Sequence, residues 1–88
     1  MEINSKTYQF LAAQFDTDDH RHYDTLYDGL REEIHELIQH SDNENFIEEV
    51  GDVLWYLSTL CKDKGFTLED AMMNNINKLE MRKLNGKG

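Results

Sequence analysis

Four acidic residues form two equally spaced pairs near the middle of the 88-residue chain. Glu33 and Glu36 make the first pair, Glu49 and Asp52 the second, and the members of each pair lie three positions apart. Carboxylates are hard oxygen ligands of the kind that Mg²⁺ and Mn²⁺ accept. Like charges held close together repel one another and raise each other's pKa unless a cation compensates them. The two pairs can therefore form a metal site if the elements that carry them bring them together.

Both pairs lie on segments whose apolar residues recur at helical spacing. We expect the first segment to be a helix from about His22 to His40, and the second to start behind a cap at Ser41. A break this short predicts an antiparallel helix hairpin. The apolar stripes are Tyr23, Leu26, Tyr27, Leu30, Ile34, Leu37 and Ile38 in the first helix, and Phe46, Ile47, Val50, Val53, Leu54, Leu57, Leu60 and Cys61 in the second.

The acidic pairs are displaced from their stripes in the same sense. Glu33 and Glu49 lie roughly 80° to 90° from the stripe centre, and their partners lie roughly 60° further round. Equal offsets on antiparallel helices fall on one side of the hairpin, so Glu33 should face Asp52 and Glu36 should face Glu49. The sequence thus predicts a carboxylate cluster that binds Mg²⁺ or Mn²⁺. The alternative is that, in a chain with 18 acidic residues, both pairs lie on solvated faces.

Two further helices are predicted to flank the hairpin. The first spans residues 5–15 behind a cap at Asn4 or Ser5. Gly65 is a candidate left-handed cap for the end of the hairpin, and Thr67 with Asp70 resembles a capping box that opens the last helix. Residues 85–88 are expected to fray. The apolar stripes are Tyr8, Leu11, Ala12 and Phe15 in the first helix and Leu68, Met72, Ile76 and Leu79 in the last.

Polar and basic side chains gather on one side of the last helix. Asn75, Lys78 and Arg82 are displaced from its stripe in the same sense as the acidic pairs. Cations near a helix C-terminus are favoured by the helix dipole whatever the function. The other interpretation is that they bind the phosphates of a substrate.

Length and charge narrow the class of protein. A chain of 88 residues is one domain with a small core, so we expect a homo-oligomer to complete it. Trp55, Tyr56 and Met73 lie outside the stripes, and for the two aromatic residues we favour an oligomer contact over a base-stacking surface.

The net charge of −9 argues against nucleic-acid binding. No segment resembles a membrane span or a signal peptide, so a cytoplasmic protein is expected.

Two other metal or redox interpretations are weaker. Glu32 and His35 form E-x-x-H, half of a di-iron carboxylate signature, but both point away from the apolar stripe and no second such motif follows. We therefore expect His35 to face solvent. Cys61 lies on an apolar stripe and is interpreted as a small buried residue.

The hairpin segments, GLREEIHEL and EEVGDVLWYL, resemble the E-E-x-x-E and E-x-x-D signature of the MazG-like nucleoside triphosphate pyrophosphohydrolases. TYQFLA is similar to the N-terminal helix of that family, and NINKLEMR to its N-x-x-K-L-x-x-R segment. The resemblance extends from about Thr7 to Arg82. Two departures are His35, where a small residue is common, and Lys83 with Leu84, where many members continue with Tyr-Pro; the first could crowd the site.

The resemblance implies an all-α, four-helix MazG-like domain over residues 1–88 that forms a dimer or tetramer. It implies Mg²⁺-dependent hydrolysis of nucleoside triphosphates, canonical or modified, to monophosphate and pyrophosphate, a housecleaning activity on the nucleotide pool. The metal ligands would be Glu33, Glu36, Glu49 and Asp52, with Glu36 or Glu49 as the base, and the substrate-binding residues Asn75, Lys78 and Arg82. The alternative is a catalytically inactive helical binding module that keeps the fold.

Overall fold

The structure, a computed structural model, describes residues 2–15, 23–39 and 43–86. These residues form four α-helices and no strand: α1 (Ser5–Ala13), α2 (Tyr23–Gln39), α3 (Asn43–Asp63) and α4 (Leu68–Leu84). The all-α class and the order of the helices are confirmed. Residues 16–22, the predicted helix end His40, the predicted cap Ser41 and residues 87–88 lie outside the described residues.

The helix ends follow the predicted capping chemistry. The Asn4 side chain accepts hydrogen bonds from the backbone N–H groups of Lys6 and Thr7, both at 3.0 Å. Thr67 and Asp70 cap α4 reciprocally, each side chain accepting from the other's backbone N–H at 3.0 Å. These contacts satisfy N–H groups that have no partner within the helix.

Gly65 ends α3 as predicted, with a φ of +83° that L side chains rarely adopt. Its N–H donates to the carbonyl of Lys62 at 3.0 Å, and the N–H of Phe66 donates to that of Cys61 at 2.8 Å. This is the Schellman arrangement, which turns the chain sharply at a helix C-terminus. It directs the chain from α3 into α4.

The helix α3 is the centre of the packing. α2 packs against it as an antiparallel hairpin, and α1 and α4 pack against it and against each other. Among the described helices, α2 contacts α3 and neither of the other two. The predicted hairpin is therefore the element that brings the two acidic pairs together. None of the described helices has the length and apolar character that crossing a membrane requires.

Side-chain hydrogen bonds connect α1 to the other helices that it packs against. The Gln9 amide nitrogen donates to the carbonyls of Ser58 and Phe66, both at 3.4 Å, and its oxygen accepts from the N–H of Leu68 at 3.1 Å. One side chain thus bridges α1, α3 and the start of α4.

The aromatic pair Trp55 and Tyr56 also contacts other elements of the chain. Trp55 Nε1 donates to the carbonyl of Ala12 at 3.1 Å. The two rings meet edge to face, with centroids 5.1 Å apart. Because both rings are half-buried within the chain, they do not by themselves indicate an oligomer interface.

The buried core is small. Leu26, Leu60, Leu68 and Ala12 are its buried apolar members among the described residues. Much of the predicted apolar stripes stays exposed, and Ile38, 70% exposed, is one example. The prediction that Phe15 packs on a helical stripe is wrong, because α1 ends at Ala13 and Phe15 is 75% exposed. Every described residue of α4 beyond Glu69 is exposed, so its apolar side chains have little cover within this chain.

Candidate functional site

Three carboxylates from the two acidic pairs converge between α2 and α3. One oxygen each of Glu33, Glu49 and Asp52 lies within 4.8 Å of the others. Glu33 and Glu49 are half-buried and Asp52 is exposed. The cluster follows from local geometry, because equal offsets from the apolar stripes place the pairs on the same side of the hairpin.

Glu36 is not part of this close group, but it lines the same open cavity. The cavity has a volume of about 390 Å³. Its lining residues come from α2 and α3, and they are Glu32, Glu33, His35, Glu36, Glu49 and Asp52. The four predicted ligands therefore share one cavity, with three of them close enough to hold a single ion.

The electrostatics of Glu33 show the repulsion that the sequence predicts. Its pKa is raised above the usual glutamate value, first by burial and then by the negative charges of Asp52, Glu49 and Glu36. A hydrogen bond with the Asp52 side chain raises it further. Glu49, another carboxylate of the cluster, has one oxygen, Oε2, that is shielded from solvent. A bound cation would offset this accumulation of negative charge.

The donor set fits a hard divalent cation. Mg²⁺ lies 2.0–2.1 Å from its oxygen ligands in an octahedron, so ligand oxygens are about 3 Å apart when adjacent and about 4.2 Å when opposite. The observed limit of 4.8 Å is close to this range. Three carboxylate oxygens this close together can serve one divalent cation.

The residues predicted to bind substrate phosphates lie elsewhere on the molecule. Asn75, Lys78 and Arg82 are exposed side chains on α4 and do not line the acidic cavity. α4 packs on α1 and α3 and does not contact α2. Their proposed role therefore rests on the sequence resemblance.

Two residues of the cavity wall were not predicted as part of the site. The prediction that His35 faces solvent is confirmed, since its side chain is exposed, yet it also lines the acidic cavity. Glu32 does the same. Glu32 stands four positions before Glu36, and residues at that spacing are neighbours on a helix surface. This spacing was the signal that could have placed Glu32 beside the site, whereas the sequence resemblance had already placed His35 near it.

Tyr8 is a further residue whose place the sequence did not reveal. It was predicted as a member of the α1 stripe, and it is half-buried. Burial raises the pKa of its hydroxyl, and the negative charge of Asp52 raises it further. The N-terminal helix therefore presents an aromatic hydroxyl near the acidic cluster.

Comparison with known proteins adds one finding. The family model of the MazG nucleotide pyrophosphohydrolase domain matches residues 21–86. This span contains both acidic pairs and the basic residues of α4. No curated protein and no solved structure matches the chain.

Proposed function

The chain belongs to the MazG family of nucleotide pyrophosphohydrolases, and from this premise we propose that it converts nucleoside triphosphates, canonical or modified, to monophosphates and pyrophosphate with Mg²⁺ as cofactor. The observation that carries the proposal is the convergence of Glu33, Glu49 and Asp52 within 4.8 Å. Mn²⁺ is the other cation that this oxygen donor set suits. We propose that residues 1–88 act as one domain.

The proposed metal ligands are Glu33, Glu49 and Asp52, with Glu36 as a fourth on the same cavity wall. A divalent cation bound there would offset the negative charge of phosphate oxygens and, as a Lewis acid, would lower the pKa of a bound water molecule. The half-buried position of Glu33 and Glu49 restricts the motion of two ligands. Exposed Asp52 keeps the cluster open to a substrate.

A general base is needed to take a proton from the water that attacks the α-phosphorus. Glu36 and Glu49 are the two candidates. We assign the role to Glu36, because it is exposed and lies outside the close group of three oxygens. A carboxylate oxygen of Glu36 that does not hold the metal would accept the proton.

The substrate also needs positive charge along its phosphates. Lys78 and Arg82 supply cations on α4, and Asn75 adds a neutral hydrogen-bonding group. An arginine contact to a phosphate oxygen is a charge-assisted hydrogen bond, which is stronger than a neutral one. The proposal assigns substrate binding to these three residues.

We propose that the working form is a homo-oligomer. Met72, Ile76 and Leu79 form the apolar stripe of α4, and they are 50%, 55% and 45% exposed. Contiguous apolar surface of this kind marks an interaction site more often than free surface. Light scattering at micromolar concentration should show a dimer or tetramer, and a monomer would contradict this part of the proposal.

The activity can be tested with a panel of nucleoside triphosphates and Mg²⁺, using an assay that separates pyrophosphate from phosphate. Monophosphate and pyrophosphate in equal amounts are expected, and EDTA should abolish their formation. Asp52→Asn should lose most of the turnover while the protein remains folded. If no triphosphate is hydrolysed under any metal condition, the alternative of an inactive helical binding module is favoured instead.

A further inference from the structure

The two helices of the hairpin approach each other closely at one glycine. A Cβ atom built on Gly29 of α2 would lie 2.5 Å from Cε1 and 2.6 Å from Cζ and Oη of Tyr56 on α3. Such distances are far below van der Waals contact, so any larger residue at Gly29 requires the ring or the helix to move. The second helical glycine of the hairpin, Gly51, has no atom within 4 Å of an added Cβ.

This contact lies one helical turn from the carboxylate cluster. Gly29 precedes Glu33 by four residues, and Tyr56 follows Asp52 by four residues. Residues four apart are neighbours on a helix surface. In an antiparallel pair, the register that brings Gly29 next to Tyr56 therefore also brings Glu33 next to Asp52.

The ring of Tyr56 has limited freedom to move away. It is half-buried and meets the ring of Trp55 edge to face at 5.1 Å. Trp55 is itself tied to α1 through its hydrogen bond to the Ala12 carbonyl. A side chain added at Gly29 would push against a ring that contacts Trp55, which is itself hydrogen-bonded to α1, so we expect α2 to be displaced as well.

We propose that Gly29 is a positioning residue: the lack of a side chain there allows α2 to approach Tyr56 closely enough for Glu33 and Asp52 to share one metal ion. Glycine is the least favourable residue other than proline in a helix interior. Its presence at a crowded point of the hairpin is explained by this close approach. The inference rests on the proposed metal site and adds a residue that touches neither metal nor substrate.

The test is calorimetric titration of the 88-residue chain with MnCl₂, well below the melting temperature of each variant. Gly29→Ala should weaken Mn²⁺ binding by about 10- to 100-fold, the loss typical when a residue that orients metal ligands is changed. Gly51→Ala is the matched control, because it makes the same substitution in the same hairpin without crowding. It should bind Mn²⁺ as the parent does.

A rescue variant separates positioning from general destabilisation. Tyr56→Leu removes the distal ring atoms that Gly29→Ala would meet, so the double variant should bind Mn²⁺ as well as Tyr56→Leu does. If Gly29→Ala does not fold, the comparison of Tyr56→Leu with the double variant still decides. A Gly29→Ala protein that melts earlier but binds Mn²⁺ like the parent would overturn the inference. So would a double variant that binds much more weakly than Tyr56→Leu.

Failure of the proposed function gives a different result. If the parent protein binds no Mn²⁺ or Mg²⁺, the metal site itself is wrong. If the parent binds the metal and Gly29→Ala binds it equally well, the metal site stands and only the role of Gly29 is refuted.

Discussion

Asp52→Asn should have opposite effects on stability in the absence and in the presence of metal. After burial, the negative charge of Asp52 contributes most to the raised pKa of Glu33. Without metal, the substitution removes a repelling charge from the cluster and should stabilise the fold. With metal, it removes a ligand, so the variant should lose the stabilisation that the parent gains.

The size of both effects follows from simple electrostatics and mass action. Two unit charges no more than 4.8 Å apart repel by at least about 0.9 kcal/mol in a water-like dielectric and by at least about 3.5 kcal/mol at an effective dielectric constant of 20. Because Asp52 is exposed, we expect the lower value. Mg²⁺ at 100 times its Kd should stabilise the parent by about 2.7 kcal/mol. At about 4–8 °C per kcal/mol, the variant should melt several degrees higher than the parent in EDTA and clearly lower in Mg²⁺.

Thermal melts by circular dichroism measure both comparisons at one fixed protein concentration, since an oligomer melts at a concentration-dependent temperature. Glu48→Gln is the matched control. It also removes one negative charge from α3, but Glu48 is exposed and does not line the acidic cavity. It should respond to Mg²⁺ as the parent does.

The order of the two melting temperatures shows whether Asp52 is a metal ligand and whether its charge destabilises the metal-free protein. An Asp52→Asn protein that Mg²⁺ stabilises as much as the parent would show that Asp52 is not a ligand. A variant less stable than the parent in EDTA would show that the repulsion inferred from the structure is not felt in solution.

Three further predictions concern other parts of the structure. The pKa of Glu33 is raised in the folded state, so just above the usual glutamate pKa the folded protein binds more protons than the unfolded chain. The contribution of Glu33 to the free energy of unfolding therefore falls as the pH rises through that window. Urea melts of the metal-free parent and of Glu33→Gln between about pH 4 and 7 should show the parent losing stability relative to the variant; a constant difference would refute this. Thr67→Ala should lower the free energy of unfolding by about 1 kcal/mol, because it removes the cap of α4; denaturant melts measure it, and an unchanged midpoint would mean that this helix end does not contribute to global stability. Arg82→Ala should keep Mg²⁺ affinity by calorimetry and lower kcat/KM through the loss of a phosphate contact, and kinetics equal to the parent's would remove Arg82 from the substrate site.

The sequence predicts those features of the site that depend on the regular geometry of a helix. The approach of Glu33 to Asp52 follows from equal offsets and equal distances from the hairpin turn, both of which an α-helix determines. Glu36 lies outside the close group although its offset from the stripe is about the same as that of Asp52, so the offsets alone do not predict which carboxylates meet. The caps at Asn4, Gly65 and Thr67 were predictable for the same reason, because each depends on a few neighbouring residues.

The sequence does not predict what covers an apolar face or how closely two helices approach. Periodicity identifies Ile38 and Ile76 as stripe residues, but both are more than half exposed, since a stripe does not specify its partner. Trp55 and Tyr56 were assigned to an outer surface, and their contacts with Ala12 and Gly29 depend on the tilt of three helices. The distance between α2 and α3 at Gly29 is likewise a tertiary property that no local pattern contains.

The bridge made by Gln9 has a consequence for the order in which the protein folds. Its three hydrogen bonds join residues that are 49, 57 and 59 positions apart in the chain. Contacts of such separation form late, because closing a long loop costs more chain entropy than closing a short one. The α2–α3 hairpin, which closes over a short loop, can assemble first and create the carboxylate cluster. The docking of α1 through Gln9 would then be the step that joins the first residues of the chain to the α3–α4 turn.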